Sequence, residues 1–140
     1  MADTIQVDIV SAEGAIFSGP ARMVFAPASQ GELGILPRHA PLLTLLKPGE
    51  VRVQPPEGEE QTFYVGGGGL EVQPHHVTIL ADTAQRARDI DEAAALAAKQ
   101  RAEETLRSHV DKIEQAEALA ELARAAAQLK LIERLRKIRG

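Results

Sequence analysis

Few side chains in this 140-residue chain could do chemistry, and their spacing narrows the choice. There is no Cys, which excludes thiol catalysis and a disulfide framework. His75 and His76 suggest a metal pair, but adjacent residues of a strand point to opposite faces. No Cys or H-x-x-E spacing accompanies them, so a solvated turn is the expectation. His39 stands alone among scattered carboxylates, with no partner set for nucleophilic or acid–base catalysis. Glycines 66–69 suggest a phosphate cradle, but that loop also needs Gly-Lys-Ser/Thr entering a helix. Here Leu70-Glu71-Val72 follows and reads as strand, so the glycines predict a bulge or a tight hairpin. What remains is charge. Arg124, Lys130, Arg134, Arg136, Lys137 and Arg139 place six cations in the last seventeen residues, against one carboxylate. Cations near a helix C-terminus complement its dipole. Six exceed that need and point to an acidic partner surface.

Composition bounds the rest. The formal charge is −4, with three Phe, one Tyr and no Trp. Neither a basic surface nor stacking platforms are expected, so nucleic acid is not a partner. No apolar run approaches the roughly 18 residues of a membrane span. Membrane association is therefore expected only through partner proteins. MADTIQVDIV lacks a basic region followed by an apolar core, so no signal peptide is expected.

Gly and Pro divide the chain. All eight Pro and ten of eleven Gly lie between Gly14 and Pro74, and from His75 to Arg139 there is neither. Turn-rich β-structure is therefore expected first and uninterrupted helix second. Ile5, Val7 and Ile9 share one strand face. Ala15–Phe17 and Met23–Phe25 flank a Ser-Gly-Pro turn at 18–20. Val51-Arg52-Val53 precedes a hairpin tip at 55–58. Phe63–Val65 and Leu70–Val72 bracket the glycines, and Val77, Ile79 and Ala81 alternate again. The densest stretch is Gly31–Leu46, GELGILPRHAPLLTLL. Glycines 31 and 34 can take angles closed to other residues. Pro37 and Pro41 stiffen a turn carrying Arg38 and His39, and a buried apolar strand follows. The fold class is thus α+β in two domains: an antiparallel β-sandwich over 1–86, then an antiparallel two-helix hairpin over 87–140.

The hairpin begins near Asp89 as cap, with Glu92 as capping-box partner and Asp91 favouring the positive helix end. Ala93–Leu106 forms the first helix. Ser108-His109-Val110-Asp111 interrupts it, with Ser108 or Asp111 capping the second, Ile113–Ile138. Fifteen Ala lie between Ala84 and Ala127. Helix propensity is high, but a methyl buries a fraction of the roughly 1.5–3 kcal/mol that a Leu contributes. Each helix is therefore intrinsically stable while helix–helix docking is weak. That combination suits an element that undocks and extends.

Gly31–Leu43 closely resembles a motif of the epsilon subunit of the bacterial F-type ATP synthase, G-x-L-G-I-x-P-G-H-A-P-L, with Arg38 in place of its central Gly. Val10-Ser11-Ala12-Glu13, Phe17-Ser18-Gly19, Gly68-Gly69-Leu70-Glu71-Val72, Leu80-Ala81-Asp82-Thr83-Ala84 and Ile90-Asp91 are similar to it in order. The resemblance implies a β-sandwich seated on the rotor, binding the gamma subunit and the c-ring, followed by a two-helix domain. It implies a non-catalytic subunit that couples rotor parts, peripheral to the cytoplasmic face of the bacterial inner (plasma) membrane. It also implies that the helices extend into the alpha/beta head and inhibit ATP hydrolysis.

On this reading Glu32, Arg38 and His39 are the rotor-interface candidates, Glu32 matching a carboxylate near the c-ring loops. Arg124, Lys130, Arg134, Arg136 and Lys137 are the inhibitory candidates, meeting an acidic loop of the beta subunit. Some relatives hold ATP between the helices. Ile90, Asp91, Arg101 and Arg124 match that site, whereas Ala94 and Gln128 stand where it has Arg. Each missing guanidinium removes phosphate contacts worth roughly 1.5–3 kcal/mol. ATP is thus expected as a weak regulatory ligand at most, with no resident cofactor or metal. The alternative is a free-standing nucleotide sensor that binds ATP in the hairpin.

Overall fold

The computed structural model describes residues 3–108 and 110–139, the side chain of Arg139 aside; His109, in the expected link, lies outside them. The chain divides into two compact units, 1–86 and 87–140.

The first unit is a sandwich made by folding one eight-stranded sheet over on itself. Strands β1 (Ile5–Ser11), β2 (Gly14–Ala21), β3 (Met23–Ala28), β4 (Gly31–Ile35), β5 (Leu42–Gln54), β6 (Gln61–Gln73), β7 (His76–Ala81) and β8 (Ala84–Arg86) line up as β2-β1-β7-β6-β5-β3-β4, with β8 also on β6. β5 and β6 are thirteen residues each and pair along their length. The second half of β6 carries β7, and its first half carries β8. Both long strands thus serve both layers, passing between them at Lys47-Pro48-Gly49 and at glycines 66–69. Bends of this kind make sandwich corners.

Glycines 66–69 therefore form neither a hairpin nor a gap between two strands; they are the corner within one strand. Gly68 has φ 132°, and a Cβ there would lie 2.1 Å from the Leu80 carbonyl oxygen. A side chain would push β6 off β7. Ser18-Gly19-Pro20 is likewise no turn but part of β2. β2 is an edge strand, where the missing N–H of Pro20 costs little in the ladder. One neighbouring pair, β1–β7, runs parallel in the otherwise antiparallel sandwich. These strands are far apart in sequence, so no hairpin turn dictates their direction.

The core matches the alternation read from sequence. Ile5, Val7, Ile9, Val77 and Ile79 are fully buried, and Val24, Ile35, Val51, Val53, Phe63 and Val65 face them from the other half. Burying each such side chain contributes about 1.5–3 kcal/mol.

The second unit opens with a 3-10 turn, Ala87–Asp89, followed by α1 (Glu92–Arg107) and α2 (Lys112–Arg139). Asp91, not Asp89, caps α1, its carboxylate accepting from the Ala94 N–H at 3.1 Å. Asp89 is taken up by the 3-10 turn, so Glu92 is the first helical residue rather than a capping-box partner. Asp111 caps α2 through the Glu114 N–H at 2.8 Å. Ser108 instead closes α1, its hydroxyl donating to the Glu104 carbonyl. Arg136 reaches Glu92 and Arg101 reaches Glu121, so the helices run antiparallel. The buried apolar residues of this unit are Ala95, Ala102, Ala118, Ala125 and Leu131. Seven-residue spacing of alanines on each helix makes a narrow, shallow seam of methyl groups.

Candidate functional site

The rotor-interface candidates split between the two ends of β4. Glu32 pairs with Pro27 beside the β3–β4 hairpin. Its carboxylate is bound to Arg52 at 3.0 Å, and that guanidinium also stacks 4.2 Å above the Phe25 ring. Arg52 is held further by Glu50 at 3.6 Å. Glu32 thus presents a fixed carboxylate on the strand, away from the turn. Arg38 and His39 lie beyond the other end of β4, with roughly 10 Å of strand from Glu32 to Ile35 in between.

In that turn Arg38 has φ 67°, the left-handed conformation that a glycine would adopt freely. Its N–H donates to the Pro74 carbonyl at 2.7 Å, which locks the turn onto the β6–β7 connection. An L-residue there costs about 1–2 kcal/mol. The exposed Arg38–Asp3 ion pair, at 3.5 Å, offsets little of this. His39 donates from Nδ1 to the Ala40 carbonyl at 2.7 Å. Gly31 takes a positive φ of 134°, but Gly34 does not. Gly34 instead leaves room for Met23 and Phe25.

The strand after the turn is not buried throughout, as its unbroken apolar run suggested. Leu43 is 79% exposed and Leu45 69%. Leu45 sits opposite Gly69, Gly69 opposite Leu80, and Leu80 opposite Val10, making one row across four strands on the outer face. Leu80 is 59% exposed, and nothing lies within 4 Å of where a Gly69 Cβ would sit. The row is thus an apolar ridge with a notch in its middle. Leucines on both faces of β5 were the signal: a strand covered on one side only would alternate.

A polar cluster lies farther along the same face. Asp8 accepts from the Ser18 hydroxyl at 2.5 Å on one oxygen and meets His76 Nε2 at 2.5 Å on the other. The Ser18 bond foremost, with further bonds from His76 and Gln6, holds the Asp8 carboxyl below its ordinary value against the opposing effect of burial. His76 is therefore a strand residue with a partner, while His75 occupies the expected turn. Ser18 and His76 bind opposite oxygens of one carboxylate, so the His is not placed to activate the Ser as a nucleophile. Among the described residues, no group of three or more His, Asp or Glu could hold a metal.

The nucleotide candidates are not gathered at one point. Asp91 is occupied by capping, and Arg101 is paired with Glu121 at 3.1 Å. Ile90 lines a cavity of about 350 Å³ with Ala87, Arg88, Glu92, Ile132, Leu135 and Arg136. Arg101 is more than two helical turns farther along α1, and the antiparallel register puts Arg124 nearer to Arg101 than to Ile90. Of the inhibitory candidates, Arg136 binds Glu92 at 2.7 Å and Lys137 binds Glu133 of its own helix at 3.3 Å. Arg124 and Lys130 are exposed, and Arg134 is half-buried.

The described residues thus present a folded-over sandwich with an apolar outer ridge, and a separate hairpin seamed with alanine. The family described as "ATP synthase, Delta/Epsilon chain, beta-sandwich domain" matches residues 4–87, and its "long alpha-helix domain" matches residues 88–133. The chain is 69% identical, over the whole of both chains, to the ATP synthase epsilon chain of Nitrosococcus oceani. It is 62% identical to that of Halorhodospira halophila, over 96% of each. It shares its fold with a chain of the Euglena gracilis mitochondrial ATP synthase OSCP/F1/c-ring structure, with a TM-score of 0.83 at 20% identity over 92% of this chain and 81% of that one. The chain belongs to the epsilon-subunit family of the bacterial F-type ATP synthase. Among the described residues, no helix is long and apolar enough to cross a membrane.

Proposed function

We propose that the chain is a non-catalytic rotor subunit that couples gamma to the c-ring and brakes ATP hydrolysis through its helices. The ridge of Leu45, Leu80 and Val10 carries this reading. Exposed leucines in a contiguous row on a sheet face mark an interface, and the notch at Gly69 accepts a partner side chain. Gamma is the occupant we assign to this ridge. The turn at Arg38–His39 and the carboxylate of Glu32 then offer contacts to the polar loops of the c-ring. That seat makes the chain peripheral to the cytoplasmic face of the inner membrane, held there by partner subunits. The alanine seam supports the brake, because α2 remains helical when it leaves α1. Arg124, Lys130, Arg134, Arg136 and Lys137 would then act together on an acidic surface of the alpha/beta head. Exposed pairs are worth only about 0–1 kcal/mol each. ATP is assigned no more than a weak regulatory part, because Ala94 and Gln128 supply no guanidinium.

Reconstitution of the enzyme with two variants tests both halves. Truncation after Arg88 should assemble with the rotor and raise ATP hydrolysis. The pair Leu45→Glu and Leu80→Glu should remain folded but fail to assemble. A truncated chain that assembles without any rise in hydrolysis would remove the brake, and normal assembly of the double variant would remove the ridge.

A further inference from the structure

Four alanines and Leu131 are the buried apolar residues of the seam between α1 and α2, and methyl groups do little to fix a register. Two cross-helix ion pairs carry direction: Glu92–Arg136 at 2.7 Å and Arg101–Glu121 at 3.1 Å. The first lies in the opening turn of α1 and near the end of α2. Each charge there complements the dipole of its own helix. The pair also borders the cavity of about 350 Å³ that Arg88 shares, and both side chains are open to solvent, 43% and 65% exposed. A pair in that setting is easily broken and easily exchanged for another anion.

Arg136 is also one of the cations assigned to the brake. Resting on that reading, we infer that Arg136 is shared: Glu92 holds it in the docked hairpin, and an acidic partner surface must take it from Glu92 when α2 extends. Glu92 then acts as an internal competitor for the inhibitory cation and sets the fraction of hairpins that are open. Two substitutions that break the same pair should therefore move inhibition in opposite directions. Glu92→Gln frees Arg136 and should strengthen inhibition. Arg136→Gln opens the hairpin equally but deletes the cation, and should weaken it. A purely structural pair would move both variants the same way.

The chain has no Cys, so two introduced cysteines label alone. Spin labels at the exposed sites Ala97→Cys and Ala126→Cys report helix separation in the full-length chain. Both Glu92→Gln and Arg136→Gln should raise the ratio of open to docked hairpins by about two- to fivefold, as suits an exposed pair. In the reconstituted enzyme, hydrolysis should fall below wild type with Glu92→Gln and rise above it with Arg136→Gln. The swap Glu92→Arg with Arg136→Glu should restore docking without restoring inhibition. An unchanged distance distribution for Glu92→Gln overturns the sharing whatever the enzyme does. So do two variants that shift inhibition in the same direction. Failure of the brake itself has a different signature, hydrolysis unaltered by truncation after Arg88.

Discussion

The two units hold themselves together in opposite ways. In the sandwich, branched and aromatic side chains interlock from both layers, so each contributes only while its neighbours are in place. In the hairpin, four of the five buried apolar residues are alanine. Its helices draw stability from their own backbones and lose little on separating. The sandwich is therefore expected to give way as a whole, and the hairpin to come apart without unfolding. On the proposed function, the coupling part must not deform and the brake must move, and the division of side chains between the units suits those two tasks.

The largest effect should come from the sandwich corner. Gly68→Ala places a Cβ 2.1 Å from a backbone carbonyl at a φ closed to most L-residues. It should cost several kcal/mol, more than a typical point substitution, and urea titration should show the sandwich transition moved far down or lost. Helical circular dichroism should survive. If it vanished with the sandwich, the independence of the hairpin would be lost. A smaller effect is expected at the seam. Ala125→Leu overpacks a site made for a methyl, at about 1–3 kcal/mol. Helix separation should increase, with helix content and the sandwich midpoint unchanged.

The smallest effect concerns pH. The Asp8 carboxyl lies below its ordinary value in the folded sandwich, chiefly through Ser18. Its stabilisation is therefore full above the unfolded value and is lost as pH falls through the folded one. Asp8→Asn should lower sandwich stability by about 1 kcal/mol at neutral pH. The gap from wild type should close in strongly acidic buffer. Chemical denaturation across pH 2–7 checks this, and a gap independent of pH would assign the loss to packing instead.

Much of the fold was legible because it is written in local patterns. Alternation in Ile5-Val7-Ile9 and Val77-Ile79 named the buried faces, and the stretch without Gly or Pro after Pro74 holds both helices, although β7 and β8 also lie within it. The alanine content already implied a seam lined largely by methyl groups. Less legible were features whose cause lies in a distant strand. The Asp8–His76 pair depends on β1 lying beside β7, sixty-eight residues later in the chain. The split between Glu32 and Arg38–His39 follows from the straightness of β4, which a motif read as one stretch conceals.

Amino-acid order alone determined most of the strand and helix segments, where the cations gather, and that the hairpin is rich in alanine. Those properties arise from backbone preference and from neighbours a few residues away. Tertiary structure decided the rest. It decided that glycines 66–69 turn a corner between layers, that Leu45 and Leu80 face outward across a notch, that Arg38 takes a glycine's conformation, and that Arg136 rests on Glu92. Each depends on which backbone or side chain from elsewhere occupies the adjoining space, and periodicity along one strand or helix carries no record of that neighbour.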